Sequence, residues 1–166
     1  GLENKFVNSN KLVVFFQSAQ KGKISIVKQK KNWITFVGKL NKAKGYDVFV
    51  KTIKYILDKY PGWKAKIIGD EKREKIYLNH KNADLLGFLS HDKVLQIFKK
   101  TSIAVACSRW EEPFGRTSLE ASANGCAVII TNKGGLPETI TNARILTKLS
   151  SKELSKEISY LIKNEN

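Results

Sequence analysis

Glu112 and Glu120 have seven residues between them in the run Arg109-Trp-Glu-Glu-Pro-Phe-Gly-Arg-Thr-Ser-Leu-Glu120. Pro113 has a fixed φ and no N–H, which suits the turn that leads into a helix. Gly115 carries no Cβ, so backbone can come close to a ligand there. The N–H groups that follow, around Arg116 to Ser118, lie where a helix start lacks internal partners, and the helix dipole favours an anion or a polar oxygen there. Carboxylates accept hydrogen bonds from hydroxyls, so two of them edging one cavity suit a polyol such as a sugar or a ribose. The two residues alone leave a second reading open, in which Glu112 is simply solvated and Glu120 complements the helix start.

A second cluster is Phe36-Val-Gly-Lys-Leu-Asn-Lys-Ala-Lys-Gly45. Gly38 permits close approach, and Lys39 and Lys44 offer positive charge to a phosphate. A lysine-rich chain also makes such pairs by chance.

The elements around these residues set their positions. Apolar β-rich runs at 33–38, 63–68, 102–107 and 126–131, with Asp84–Leu89 and Ala143–Leu146, read as strands. Helical spacing runs over 46–59 and ends at Pro61-Gly62. Further helices are expected at 71–78, at 91–100 with Ser90 as N-cap, at 115–124, at 136–140 and at 151–163. Strands alternating with helices predict an α/β fold, a Rossmann-like parallel sheet with helices on both faces. Its ligands would bind at the carboxyl edge, where both clusters fall. Leu12–Phe16 and Ile24–Val27 are β-rich as well, so residues 1–31 read as a linker or a β-hairpin ahead of a domain over 32–166.

Composition bounds the rest. The 166 residues suffice for one core, and 42% hydrophobic content is too high for a disordered chain. No apolar run approaches the ~20 residues of a membrane span. The polar opening lacks the apolar stretch of a secretory leader, so a cytoplasmic setting is expected. Cys107 and Cys126 adjoin buried strands and read as small core residues in a reduced compartment. With them, two scattered histidines give no metal-ligand spacing, so no metal is expected. Lys and Arg total 30 against 15 Asp and Glu, a formal charge of +15. That balance favours an anionic partner, a nucleotide or an acidic membrane surface, or reflects a solvated lysine-rich exterior. The basic residues, including Lys28, Lys30 and Lys31, are not interleaved with aromatics, so nucleic acid is not expected. Trp33 and Trp63 open strands and read as packing residues. Trp110 reads either as packing or as lining a cleft, and His91 as a surface helix residue.

Taken in order, five segments resemble the C-terminal half of a two-domain retaining glycosyltransferase of the GT-B type, most like glycosyltransferase family 4 (GT4). They are 36–45, Ile67-Ile-Gly-Asp70, Leu85-Leu-Gly-Phe-Leu89, Ser108-(x)3-Glu-Pro-Phe-Gly-(x)4-Glu-Ala121 and Gly134-Gly-Leu-Pro-Glu138. The resemblance covers about residues 33–162. It implies a nucleotide-sugar as substrate, no separate cofactor, and hexosyl transfer with retention to a glycan or lipid, as in cell-surface polysaccharide or lipopolysaccharide synthesis. It gives Lys39 and Lys44 the diphosphate, Glu112 the hydroxyls of the donor sugar, and Glu120 the ribose. The N–H groups of Phe114, Gly115 and Arg116 would face sugar and phosphate. Gly87 and Phe88 would contact the base, Gly69 and Asp70 would shape the floor of the cleft, and Gly38 would be among the contacts to the nucleotide-sugar. The family usually has Arg where Lys39 stands, and Lys lacks the planar fork of Arg. The resemblance also implies an acceptor domain outside these residues and allows a peripheral place at the inner face of a membrane. Besides this reading stand a non-catalytic nucleotide or phosphosugar module, and a nucleic-acid binder motivated by charge alone.

Overall fold

The computed structural model describes residues 30–164. Within them the chain alternates strand and helix. The order is β1 (Lys31–Val37), α1 (Tyr46–Lys59), β2 (Lys64–Ile68), β3 (Ala83–Leu85), α2 (His91–Lys100), β4 (Thr101–Ala106), α3 (Arg116–Ala123), β5 (Ala127–Thr131), α4 (Leu136–Thr139), β6 (Arg144–Leu146) and α5 (Ser151–Lys163). The six strands form one parallel sheet in the order β3-β2-β1-β4-β5-β6. The order reverses between β1 and β4, and the crevice beyond their carboxyl ends is where such sheets bind ligands.

Side chains alternate between the two faces of each strand. Ile34, Phe36, Ile67, Ile103, Val105 and Ile129 join the core beneath α1 and α5. Ile68, Ala104, Val128 and Ile130 join the other core, beneath α2, α3 and α4. Both faces are covered, which is why the strands read as near-continuous apolar runs. Phe36, Tyr46 and Phe49 pack with ring centroids 5.1–6.3 Å apart. Each such pair contributes about 0.5–1.5 kcal/mol beyond its buried area. Tyr46 is the first residue of α1, so this trio fixes where the preceding Lys44 enters the sheet edge.

Three expectations change. Residues 71–78 are not helical. Glu71 turns back to accept the N–H of Arg73, at 3.0 Å, and the Nδ2 of Asn41, at 3.0 Å. A side chain that captures local backbone in this way competes with helix formation. The strand expected over Asp84–Leu89 is the shorter β3, because Gly87 turns the chain at φ 65°. Ser90 does stand at the N-cap of α2, but its side chain makes no cap bond. Trp63 and both cysteines are buried, while Trp33 is half-buried with the ammonium groups of Lys31 and Lys66 over its ring. Leu12–Phe16, Ile24–Val27 and Lys28 lie outside the described residues.

Candidate functional site

Two adjoining chambers open at the carboxyl edge of the sheet, one of about 220 Å³ and one of about 470 Å³. They share Val37, Gly38, Arg116 and Thr117, so α3 begins at the wall between them. At the start of α3, Ser118 and Leu119 donate their N–H groups to the carbonyl of Gly115, at 3.1 and 3.2 Å, and the N–H groups ahead of them have no acceptor within the helix.

The smaller chamber is built from two loops stitched together. Arg109 and Trp110 donate their N–H groups to the carbonyl of Ala43, at 2.8 and 3.2 Å. Arg109 forks onto Asp47 at 2.6 and 2.9 Å. Burial alone would push the Asp47 carboxyl up, but the Arg109 guanidinium and the backbone N–H groups of Asp47 and Val48 together outweigh it and hold the group below the usual range. Asn41, buried, bridges the N–H of Lys44 and the carboxylate of Glu71. Across the chamber, Gly134 and Gly135 press against the 111–114 backbone. The N–H of Gly135 bonds the carbonyl of Glu112 at 2.7 Å. A Cβ on Gly134 would meet that same carbonyl at 2.2 Å. These ties bring Lys44 and Glu112 into a direct ion pair on the chamber wall, with side chains 32% and 15% exposed. Cys107 also lines this chamber, but burial pushes its thiol up to about 12. It is therefore a neutral wall group and no nucleophile.

The larger chamber is wider and less tied. Of its two acids, Asp70 and Glu120, Glu120 is the buried one, and its Oε1 accepts from Arg116 Nε at 2.8 Å and His91 Nε2 at 2.9 Å. Among the described residues Oε2 makes no hydrogen bond. Lys39 lines this chamber, is exposed, and has no acidic partner among the described residues. Gly69 and Asp70 line it too. Gly69, at φ 130°, lies where a Cβ would meet the carbonyl of Gly38 at 1.9 Å, so the two loops touch by backbone. Phe88, 82% exposed, stands at the rim.

Most expected site residues therefore meet at this edge, but divided. Lys44, Glu112 and Gly115 line the smaller chamber. Lys39, Gly69, Asp70, Phe88 and Glu120 line the larger, and Gly38 and Arg116 line both. Lys39 and Lys44 thus serve neighbouring spaces. Gly87 and Phe114 line neither chamber, and Gly87 instead accepts the N–H of Gly69 at 2.8 Å. Trp110, 61% exposed, also lines neither and is not a core residue. His91 was expected only as a surface residue, and it is exposed, but it grips Glu120 across 29 residues of sequence. Its one signal was position, as the first residue of a helix that starts at the same sheet edge. Thr117, in the wall of both chambers, was marked by nothing but its place behind Gly115. No group of three or more His, Cys, Asp or Glu residues placed to hold a metal ion occurs among the described residues. No helix among them is long and apolar enough to cross a membrane.

Comparison with known proteins follows the same outline. The family described as glycosyl transferases group 1 matches residues 17–166. Spore coat protein SA of Bacillus subtilis is 28% identical over 127 residues, covering 69% of this chain and 34% of that protein. The chain spans about a third of the length of the curated relatives it matches. The C-terminal domain of a glycosyl transferase group 1 family protein, LpcC from Francisella tularensis, superposes with a TM-score of 0.70 at 26% identity, covering 82% of this chain and 78% of that one. HepE from Anabaena, solved in complex with UDP-glucose, superposes with a TM-score of 0.68 at 21% identity, covering 81% and 40%.

Proposed function

The chain belongs to the glycosyl transferases group 1 family, and from that premise we propose that it is the donor-binding half of a retaining, GT4-type glycosyltransferase that moves a hexose from a nucleotide-sugar to a glycan or lipid acceptor. The observation that carries this reading is the pair of chambers divided by the start of α3. One holds Lys44 and Glu112, the other Glu120. Their sizes suit a sugar with its diphosphate in the smaller and a nucleoside in the larger.

The chemistry then assigns roles. The diphosphate lies against the first turn of α3, where N–H groups and the helix dipole favour anions. Lys44, on one side, and Lys39, on the other, offset the charge that grows on the leaving nucleotide. Glu112 accepts hydrogen bonds from the sugar hydroxyls, and Glu120 Oε2 accepts from the ribose diol. Phe88 offers its exposed ring to the base, and the Gly38–Gly69 contact forms the floor. The acceptor binds to a domain outside these residues. Glycan or lipid acceptors of cell-surface polysaccharides fit a basic enzyme working in the cytoplasm at the inner face of an anionic membrane.

The test is calorimetric titration of the 166-residue chain with UDP, GDP, ADP and UDP-glucose, beside Glu120→Ala. One nucleotide is expected to bind saturably, and the substitution to weaken it about ten- to hundredfold, the worth of a charge-assisted hydrogen bond or two. Binding of every nucleotide unchanged by Glu120→Ala, or no binding by a folded chain, would overturn the assignment.

A further inference from the structure

The smaller chamber sets two of its three charged groups, Lys44 and Glu112, against each other. Glu112 is the one carboxylate in its described lining, and Lys44 is the cation bonded to it. The other cation in the lining, Arg116, has its Nε on Glu120. The charge of Lys44 is thus already taken up within the protein. The backbones on both sides are pinned, Lys44 by Asn41 and Glu112 by Gly135. A ligand can therefore rearrange the pair only by exchanging side-chain partners.

We propose that the Lys44–Glu112 pair is an internal competitor that tilts the site toward a sugar-bearing nucleotide and against the bare nucleoside diphosphate, an inference that rests on the donor-site reading above. A diphosphate reaching Lys44 draws it from Glu112. With no sugar present, that leaves a carboxylate 15% exposed without a strong donor, and a stranded buried charge is costly. A sugar supplies hydroxyl donors in its place, so Lys44 and Glu112 are both satisfied. Once the sugar has been transferred, Glu112 reclaims Lys44 and the nucleotide product is loosened. The pair works as a discriminator between substrate and product, built from the two groups that touch them.

The experiment compares UDP with UDP-glucose on the whole chain and on Glu112→Gln, with GDP against GDP-mannose and ADP against ADP-glucose alongside. A neutral amide holds the ammonium less tightly. Glu112→Gln is expected to bind the bare diphosphate about fivefold tighter, the worth of a partly exposed ion pair, and to bind the nucleotide-sugar no better or worse. The preference for the sugar-bearing ligand should shrink by about fivefold or more. Lys44→Met and the double variant close a double-mutant cycle. The gain should vanish when Lys44 is absent. A gain that survives in Lys44→Met would mean a general charge effect and would overturn the proposal, as would unchanged or weaker diphosphate binding in Glu112→Gln. Should Glu112→Gln fail to fold by circular dichroism, Glu112→Asp, with a shorter arm and the charge retained, should show a smaller gain of the same sign. Failure of every nucleotide to bind parent and variants alike would overturn the donor-site reading itself. Binding without the gain overturns the competitor alone.

Discussion

The two chambers at the sheet edge differ in how much of their geometry the protein supplies. The smaller is tied on every side, by backbone bonds from 109–110 to Ala43, by the Arg109–Asp47 fork, by Asn41 and by Gly135. Its charges are matched inside the protein, Lys44 on Glu112. The larger leaves much undone. Phe88 stands in solvent, Lys39 has no acidic partner among the described residues, and one oxygen of Glu120 makes no bond among them. The contrast teaches a division of labour. Under the donor-site proposal, the space for reacting atoms would gain from being preorganised, because misplacement by about 1 Å is costly there. The space for a nucleoside could leave polar groups for the ligand to satisfy.

Glycine substitutions offer the largest break. Gly134→Ala puts a Cβ 2.2 Å from the carbonyl oxygen and 2.5 Å from the nitrogen of Glu112, at φ 53°. Backbone on backbone cannot yield cheaply, so the expected loss of stability is about 3 kcal/mol or more. Gly87→Ala, beside the larger chamber, has nothing within 4 Å of the new Cβ and carries only a positive φ of 65°. Its expected cost is about 1 kcal/mol. Urea unfolding measures both. Equal costs would mean that the contact of Gly134 with the Glu112 backbone is no tighter than the open turn at Gly87.

Acid should loosen the same region. Hydrogen bonds from the Arg73 N–H and the Asn41 side chain hold Glu71 down to about 2. Asp47, raised by burial but lowered further by Arg109, also lies below its usual value. Both carboxyls have folded values beneath their unfolded ones, so the unfolded state binds more protons as pH falls. The stability that Glu71 contributes is complete above about pH 4.5 and is lost as pH falls toward about 2, and that of Asp47 is lost in the same direction. Thermal melting from pH 6 to 2.5 should show that decline, and Glu71→Gln should make it shallower. A variant as acid-sensitive as the parent would remove Glu71 from the scaffold of this chamber.

How much of this the sequence disclosed follows the same divide. Strand β4 and helix α5 were legible because an apolar run and helical spacing point one way there, and in the structure Ser150 caps α5 by accepting the N–H of Glu153. Lys44 and Glu112 were legible because glycine and proline turns lie beside them. Residues 71–78 misled because local charge spacing looks helical, while the Glu71 side chain takes its partners from Arg73 and from Asn41, 30 residues away. The split of Lys39 from Lys44 was hidden for a related reason. The four loop residues between them, Leu40 to Ala43, set which chamber each side chain lines, and loop direction leaves no periodic trace. His91 was hidden because its partner is distant in sequence and its own neighbours, Ser90 and Asp92, read as an ordinary helix start.

His91 gives the smallest and most selective test of the comparison. It reaches Glu120 from α2, while Arg116 reaches the same oxygen from within α3. Two donors on Oε1 fix the carboxylate plane and leave Oε2 for a ligand, so under the donor-site proposal His91 would act on the nucleoside through Glu120. It is an exposed residue with 46% of its side chain accessible, and its removal should change folding stability by no more than about 0.5 kcal/mol. Nucleotide affinity should nonetheless fall about three- to tenfold in His91→Ala, since one of two orienting hydrogen bonds is lost. His91→Gln, whose amide can donate from a similar reach, should recover part of that loss. The same substitutions should weaken a ribonucleotide more than its 2′-deoxy analogue, because only the former offers Glu120 a full diol. Equal weakening of both would place His91 in general packing of the chamber, and unchanged affinity would mean that Arg116 alone orients Glu120.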